Sequence, residues 1–331
     1  MSISVIIPVH KGGEAFQHCL SSLKQFASAE TEIIVVADGD EESGDLAESF
    51  GAKVIRNSSA SGPAKARNKG AKIATGDVLF FIDADVTVNA NTIPQVNLLF
   101  LKEPELAAAI GSYDDEPGAS NFLSQYKNLF HHYTHQTGSE EASTFWGACG
   151  AIRRDIFLKI GGFDESYRLP CVEDIELGYR LKIAGYSIKL CKTIQVKHLK
   201  RWDVISLLRA DFFYRALPWT NLILRHRQLK NDLNLQWSSR ISVILVYSLL
   251  VSFLAALWWS YLWLLVLGIM VTLFIINFSV YRFFYHQRGI IFTIRMIPWH
   301  WLYFFYSGLA FAIGMIRYYG SYPIIKTNLA D

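Results

Sequence analysis

Two aspartates spaced one residue apart, Asp83 and Asp85, follow the apolar run Val78-Leu-Phe-Phe-Ile82. In an extended segment successive side chains alternate, so both carboxylates project to one side while Ala84 points away. Carboxylates so placed repel one another unless a cation lies between them, and their hard oxygens suit Mg²⁺ or Mn²⁺. Such an ion can bridge to a diphosphate and neutralise the charge that develops as it leaves. An isolated pair of this kind serves equally well as a cap or turn at a strand end, so its meaning depends on its company.

That company is spread along the chain. Gly62-Pro63 opens a helix carrying Lys65, Arg67 and Lys69 in its first turns, where a helix N-terminus with bases beside it suits phosphate or an acidic neighbour. Trp146-Gly147, followed by Gly150, joins an aromatic able to stack on a sugar face to small residues that let a ligand approach the backbone. Glu173-Asp174-Ile-Glu176 is an acidic first helical turn, which either complements the helix dipole or supplies a general base. His131 and His135 stand at i and i+4 on an expected helix without an acidic partner nearby and read as a solvated face. No GxSxG, GxxxxGK[ST] or strand-linked GxGxxG motif is present, which removes support from hydrolase, P-loop and dinucleotide readings.

These residues need elements to position them. Short Val/Ile-rich runs at 4–9, 32–37, 53–56, 78–82 and 107–111 alternate with helical stretches, the pattern of an α/β fold with a mostly parallel, helix-wrapped sheet. A further strand is expected at 193–197. Ligands of such sheets gather beyond the carboxyl ends of the strands, and those ends are acidic here, with Asp38 and Asp40 after one and Asp83 and Asp85 after another.

The rest of the 331 residues is different in kind. Mean hydropathy is +0.21, with 51% hydrophobic and 18% charged residues, a balance that leans towards a chain partly solvated by lipid. The net charge of +3 is too even a balance for a nucleic-acid binder. Five of the 32 bases and one of the 29 acids follow residue 240, the last two being Lys326 and Asp331. The run 241–281 has no charged residue over 41 positions, enough for two crossings at about 20 residues each. Helices over 241–257, 262–281 and 297–317 are expected, turning at Trp258-Trp259-Ser260-Tyr261 with aromatic residues at the interface. The stretch 198–240, rich in bases from Lys200 to Lys230 and Arg240 and carrying Trp202, Leu207 and Trp219, reads as amphipathic helix at the inner leaflet. The positive-inside rule then sets residues 1–197 in the cytoplasm and 241–331 in the inner or plasma membrane. Cys19, Cys149, Cys171 and Cys191 show neither paired nor zinc-type spacing, in keeping with a reducing compartment.

Taken in order, the strand 4–9 with Pro8 and His10, the strand ending at Asp38, the Ala66-Arg67-Asn68 helix, Asp83-Ala84-Asp85, Gly161-Gly162-Phe163-Asp164 and Glu173-Asp174 resemble family 2 glycosyltransferases of the GT-A fold. The resemblance covers residues 3 to about 200 and implies a Rossmann-like catalytic domain followed by an α-helical transmembrane region. It implies an inverting transfer of a sugar from a nucleotide-diphosphate sugar, with Pro8, His10, Asp38, Arg67 and Asp83 on the donor. By the same resemblance Asp85 and His198 hold Mg²⁺ or Mn²⁺, and Asp174 beside Glu173 is the catalytic base.

Processive members usually carry Gln-x-x-Arg-Trp, where this chain has His198-Leu-Lys-Arg201-Trp202. The retained Arg201-Trp202 is assigned, with Trp146 and Gly147, to the acceptor, and the changed Gln argues against polymer synthesis. The expected acceptor is a lipid or lipid-linked molecule at the cytoplasmic face. A transferase extending a lipid-linked polysaccharide or O-antigen, and an inactive nucleotide-binding subunit of a membrane complex, are the alternatives; self-association is left open.

Overall fold

The computed structural model describes residues 1–227 and 231–320; Lys230, Lys326 and Asp331 lie outside the described residues. The first two hundred residues build one sheet of eight strands. These are β1 (Ile3–Val9), β2 (Glu32–Asp38), β3 (Lys53–Asn57), β4 (Val78–Ile82), β5 (Val86–Val88), β6 (Ala108–Tyr113), β7 (Cys149–Arg153) and β8 (Ile188–His198). Their order is β3-β2-β1-β4-β7-β6-β8-β5. The half β3-β2-β1-β4 is parallel throughout, as its apolar runs require. The other half is not: β7 lies antiparallel between β4 and β6, β8 is parallel to β6, and β5 is antiparallel to β8. The sheet is therefore mixed, with four of its seven pairings parallel and only β7 and β5 running against the other six strands.

Seven helices wrap the sheet: α1 (Gly13–Phe26), α2 (Glu41–Ser49), α3 (Pro63–Ile73), α4 (Thr92–Lys102), α5 (Phe122–Thr137), α6 (Arg154–Lys159) and α7 (Glu173–Ile183). Alternation along β1 shows why its run is apolar without a break. Val5 and Ile7 pack with Phe16 and Leu20 of α1 and Phe100 of α4, whereas Ile6 joins Ala66 of α3, Phe157 of α6 and Leu177 of α7 on the opposite face. Both faces are dry, so the polar residues collect at the strand ends.

Beyond β8 come α8 (Val204–Arg209), a π-helical turn (Ala210–Ala216), α9 (Leu217–His226), α10 (Trp237–Ala256), α11 (Trp263–Ile276) and α12 (Phe278–Gly320). The stretch expected as amphipathic helix over 198–240 forms these shorter pieces and the start of α10. Its aromatic face turns inward: Trp202 and Leu207 pack with Leu123 of α5, and Trp219 with Val172, just before α7, and Tyr179 of α7. Phe213 and Ile205 remain exposed.

Among the described residues, Trp237–Ala256 is the helix long and apolar enough to cross a membrane, at 20 residues with a mean hydropathy of 1.9. The stretch expected as one helix over 262–281 instead ends at Ile276 and resumes at Phe278, bent by 65°. Asn277 makes the break, its amide donating to Ser242 Oγ (2.9 Å) and the Leu273 carbonyl (2.9 Å). A second break falls at Gly289, whose φ of 78° lies in the left-handed region that glycine tolerates best. The segment before it docks on the sheet domain, with Arg288 donating to Gln125 Oε1 (2.9 Å) and the Asp115 carbonyl (3.0 Å).

The two halves are also joined by a buried ion pair between Lys127 of α5 and Asp211 of the π-turn, where Tyr306 of α12 donates a hydroxyl to Asp211 at 2.6 Å. Both charges are largely out of solvent. Lys127→Met leaves buried Asp211 only the more distant Arg215 as a cation, and we expect it to lower stability by about 3 kcal/mol, read as a fall in the unfolding midpoint of purified protein; a fall no larger than that of an exposed Lys→Met would show that the pair contributes nothing.

Candidate active site

The carboxyl ends of β2 and β4 open onto the same cleft as the N-terminus of α7 and the end of β8. Arg67, on α3, links the end of β4 to the start of α7. It is buried, and its two terminal nitrogens donate to Asp83 Oδ1 (2.7 Å) and Glu173 Oε1 (2.8 Å), residues far apart in sequence. Its guanidinium also lies 5.3 Å from the centre of the Phe163 ring. Gly147 allows this approach, since a Cβ there would sit 3.0 Å from the guanidinium carbon. Arg67 is thus a strut between two acidic segments. Burial raises the Asp83 carboxyl despite the Arg67 pair, and Asp85 adds to the rise.

Glu173 accepts from Arg67 and from the Cys171 N–H (2.8 Å), so both its oxygens are engaged in a buried place. Asp174 is only half-buried. It accepts from the N–H groups of Gly147 (3.1 Å) and Ile175 (2.8 Å). Burial and the adjacent Glu173 push its carboxyl up to about 6, against the Gly147 bond and Arg67. A carboxylate with that value is a good base near neutral pH.

Asp85 and His198 meet where β5 pairs with β8, Oδ2 to Nε2 being 3.5 Å. His198 Nδ1 lies 2.8 Å from Asn128 Oδ1, and the same amide donates weakly to the His198 carbonyl at 3.4 Å, which fixes the amide's orientation. Since an amide oxygen only accepts, Nδ1 carries a proton, and Nε2 faces the Asp85 carboxylate as a lone pair in the neutral ring and as a donor in the imidazolium. A cation or a second proton between them relieves the opposition of lone pair and carboxylate, and an acceptor on the other ring nitrogen, here Asn128 Oδ1, is the usual support of a ligating histidine. Burial works against ionisation of Asp85, yet His198 and Lys200 hold its carboxyl below the ordinary range. Among the described residues no third His, Cys, Asp or Glu completes a cluster. The pair fits an ion that takes its remaining ligands from phosphate and water, as Mg²⁺-type sites do.

Asp38 ends β2, and its carboxylate accepts from Asn57 Nδ2 (2.6 Å), Ser61 Oγ (2.7 Å) and the N–H groups of Ser61 and Gly62 (both 2.8 Å). Burial opposes ionisation, but these bonds outweigh it and keep the carboxyl low. Asp38 therefore anchors the turn into α3, whose Gly62 (φ 97°) passes so close to the Arg168 carbonyl that a Cβ would lie 2.4 Å from it. His10, exposed at the end of β1, places Nδ1 2.8 Å from the Asp38 carbonyl, with half-buried Pro8 two residues before it.

Trp146 stands amid rings: Tyr113 at 4.8 Å, His131 at 4.8 Å and His135 at 5.0 Å between centres. Tyr113 stacks flat on His198 at 4.4 Å. The expectation that His131 and His135 form a solvated face is wrong. His135 is buried with Nδ1 2.9 Å from the Gly111 carbonyl, and His131 turns towards the cleft because α5 presents this edge to β6. Sequence reasoning also missed Asn128 and Tyr113. The available signal was the polar series Ser124, Asn128, His131 and His135, three or four apart on one edge of α5. Of the two retained residues after β8, Arg201 is exposed, and Trp202 is buried beneath the Lys200 ammonium at 4.4 Å.

A curled mixed sheet, acidic strand ends and a carboxylate–histidine pair beside β8 define a fold of the GT-A glycosyltransferase class. Its overlay on the mannosyltransferase PcManGT from Pyrobaculum calidifontis, solved with GDP-Man and Mn²⁺, has a TM-score of 0.52 at 15% identity, covering 69% of this chain and 65% of that one. Residues 4–161 match the model of Glycosyl transferase family 2. A probable glycosyltransferase of Bacillus subtilis, YdaM, is 28% identical over 204 residues, 56% of this chain and 48% of its own. The glucosyl-dolichyl phosphate glucuronosyltransferase of Haloferax volcanii is 27% identical over 176 residues, 50% of this chain and 56% of its own. The chain thus spans about half the length of these relatives.

Proposed function

We propose that the protein is an inverting glycosyltransferase that moves a sugar from a nucleotide diphosphate to a lipid or lipid-linked acceptor at a membrane surface. The observation that carries this reading is Arg67 holding Asp83 and Glu173 together, with the Asp85–His198 pair two residues beyond Asp83 and Asp174 bonded to Gly147 beside Trp146. The donor lies against Pro8, His10 and Asp38, where the base contact requires the Ser61–Gly62 turn to yield part of its hold on Asp38. Asp83 and Arg67 flank the diphosphate side. Asp85 and His198 hold a divalent ion, which when bound supplies positive charge to the leaving diphosphate.

Asp174 receives the proton of an acceptor hydroxyl whose oxygen attacks the anomeric carbon from the face opposite the diphosphate. The bond from that carbon to the diphosphate oxygen breaks, its electron pair leaves with the nucleotide, and the anomeric configuration inverts. Glu173, through Arg67, keeps α7 in register with Asp83. Trp146 and Gly147 bound the acceptor side, with Arg201 at its rim.

Membrane attachment is supported by surface character. In the most apolar window of Trp237–Ala256 only 17% of residues are buried, and Trp258, Trp259 and Tyr261 are 74%, 56% and 69% exposed at the following turn. Apolar area of this extent is costly in water and favourable in lipid. Arg288 and Arg295 both lie against the sheet domain, so the bases and the site share one side, which the positive-inside rule makes cytoplasmic.

The direct test presents a panel of nucleotide-diphosphate sugars to membranes carrying the protein, with native lipid extract, with and without EDTA. Sugar transferred to an organic-soluble product only without EDTA is the expected result; a long water-soluble polymer, or no donor consumption, would reject the reading. The pH profile adds a second check. Because Asp174 acts as its conjugate base and its carboxyl is raised to about 6, kcat/KM should fall as pH drops through about 6 and level off above it. A profile flat down to pH 5 would remove Asp174 from the role.

A further inference from the structure

Between α9, α10 and α12 lies a cavity of about 950 Å³, at the upper end of small-molecule sites. Its walls are chiefly apolar, with Trp219 and Ile223 on one side and Phe304 on another. Ile244 and Val251 belong both to this lining and to the exposed surface of α10, at 65% and 66% exposure, so the cavity opens laterally where α10 would face lipid. Its polar end holds Asp211 and Arg215. There two cations stand against one carboxylate: Asp211 already takes Lys127 and the Tyr306 hydroxyl, and Arg215 is left at 3.9 Å, beyond hydrogen-bond reach. The excess positive charge at the mouth of an apolar cavity fits an anionic head on a long apolar chain.

The same end points to the active site. Lys127 and His131 are one helical turn apart on α5, His131 packs on Trp146, and the neighbouring Gly147 N–H bonds Asp174. The other wall, α9, touches α7 through Trp219 Nε1 and Tyr179 Oη at 3.2 Å. His131 Nδ1 is out of solvent with no hydrogen-bond partner among the described residues. Burial, then His135 and Arg215, keep that ring neutral, able to serve a hydroxyl.

We propose that this cavity receives the chain of a glycosylated lipid phosphate, with the phosphate at Arg215 and the sugar against the open edge of the Trp146–His131 ring pair, presenting its hydroxyl to Asp174. This deepens the reading above and rests on it for turnover. The transfer then joins that sugar hydroxyl oxygen to the donor's anomeric carbon, releases the nucleotide diphosphate, and passes the hydroxyl proton to Asp174; the existing phosphodiester is untouched.

Three probes test it on the full-length protein in nanodiscs: glucosyl decaprenyl phosphate, decaprenyl phosphate, and a long-chain alkyl glucoside lacking phosphate. Chain entry is read from quenching by a doxyl-labelled analogue, the part lost in Trp219→Phe being the cavity signal. Glucosyl decaprenyl phosphate should compete with the analogue, and Ser248→Phe, which fills the lumen, should abolish the competition. Arg215→Gln should weaken that competition by about tenfold, Arg215→Lys should recover most of it, and binding of the alkyl glucoside should be unmoved by either. With the donor that the panel identifies, the glucosylated lipid should gain one sugar, and bare decaprenyl phosphate should gain none. Transfer to the bare phosphate, or lipid transfer indifferent to both Arg215→Gln and Ser248→Phe, would overturn the proposal while leaving the glycosyltransferase reading intact. Absence of all donor turnover would instead strike that reading, and the quenching data would still decide the cavity.

Discussion

Asp174→Asn is expected to lower kcat for glycosyl transfer by about 10²–10⁴-fold, the range for loss of a positioned general base. The amide keeps the size of the side chain and one acceptor oxygen, so the bonds from Gly147 and Ile175 can be retained in part and α7 should stay in place. What disappears is the ability to take a proton. Binding of the nucleotide diphosphate should therefore be nearly unchanged, and the acid limb near pH 6 should vanish with the activity. A variant that keeps most of its turnover would show that the acceptor arrives already deprotonated, as a phosphate does, and that Asp174 only positions it.

Asp85→Ala is expected to cost about 10²–10³-fold in turnover, comparable with removing one preorganised electrostatic stabiliser. Asp85 is the carboxylate set against His198 Nε2, while Asn128 holds the other ring nitrogen. Deleting it leaves one nitrogen ligand where two groups converged. Titration of nucleotide diphosphate with and without Mn²⁺ separates the causes: the wild type should bind more tightly with the ion, and the variant should bind equally with or without it. Equal loss of ion-free binding would mark a general collapse of the pocket. His198→Ala should behave similarly, but Asp83→Ala should not, because Asp83 is tied to Arg67 and its loss also frees a buried guanidinium.

How much was legible before the fold was known differs by element. The acidic strand ends were plain because β-strands run straight into their loops, and an aspartate after an apolar run lies beyond a strand end. Hence Asp38, Asp83 and Asp85 fell where their runs place them. The antiparallel insertion of β7 was not legible, since apolar alternation carries no sign of direction. The histidines of α5 were misread for a related reason: a helix with polar residues on one edge looks solvated until a sheet edge is known to lie against it. Nor could the sequence show that Asp38 spends its carboxylate on its own loop, or that Glu173 and Asp83 share one arginine.

The helical third divides the same way. Composition alone determined that residues 241–281 carry no charge and that bases cluster ahead of them, because a run of residue types is a local property. It could not determine that the helix ends at Ile276, which depends on Asn277 reaching Ser242 on a different helix. Residue identity by itself fixed which groups were able to do chemistry and roughly where each strand would end. Only tertiary structure decided which of them meet, since the contacts of Arg67 with Glu173 and of Lys127 with Asp211 close loops of 106 and 84 residues, and no local rule registers a pairing at that range.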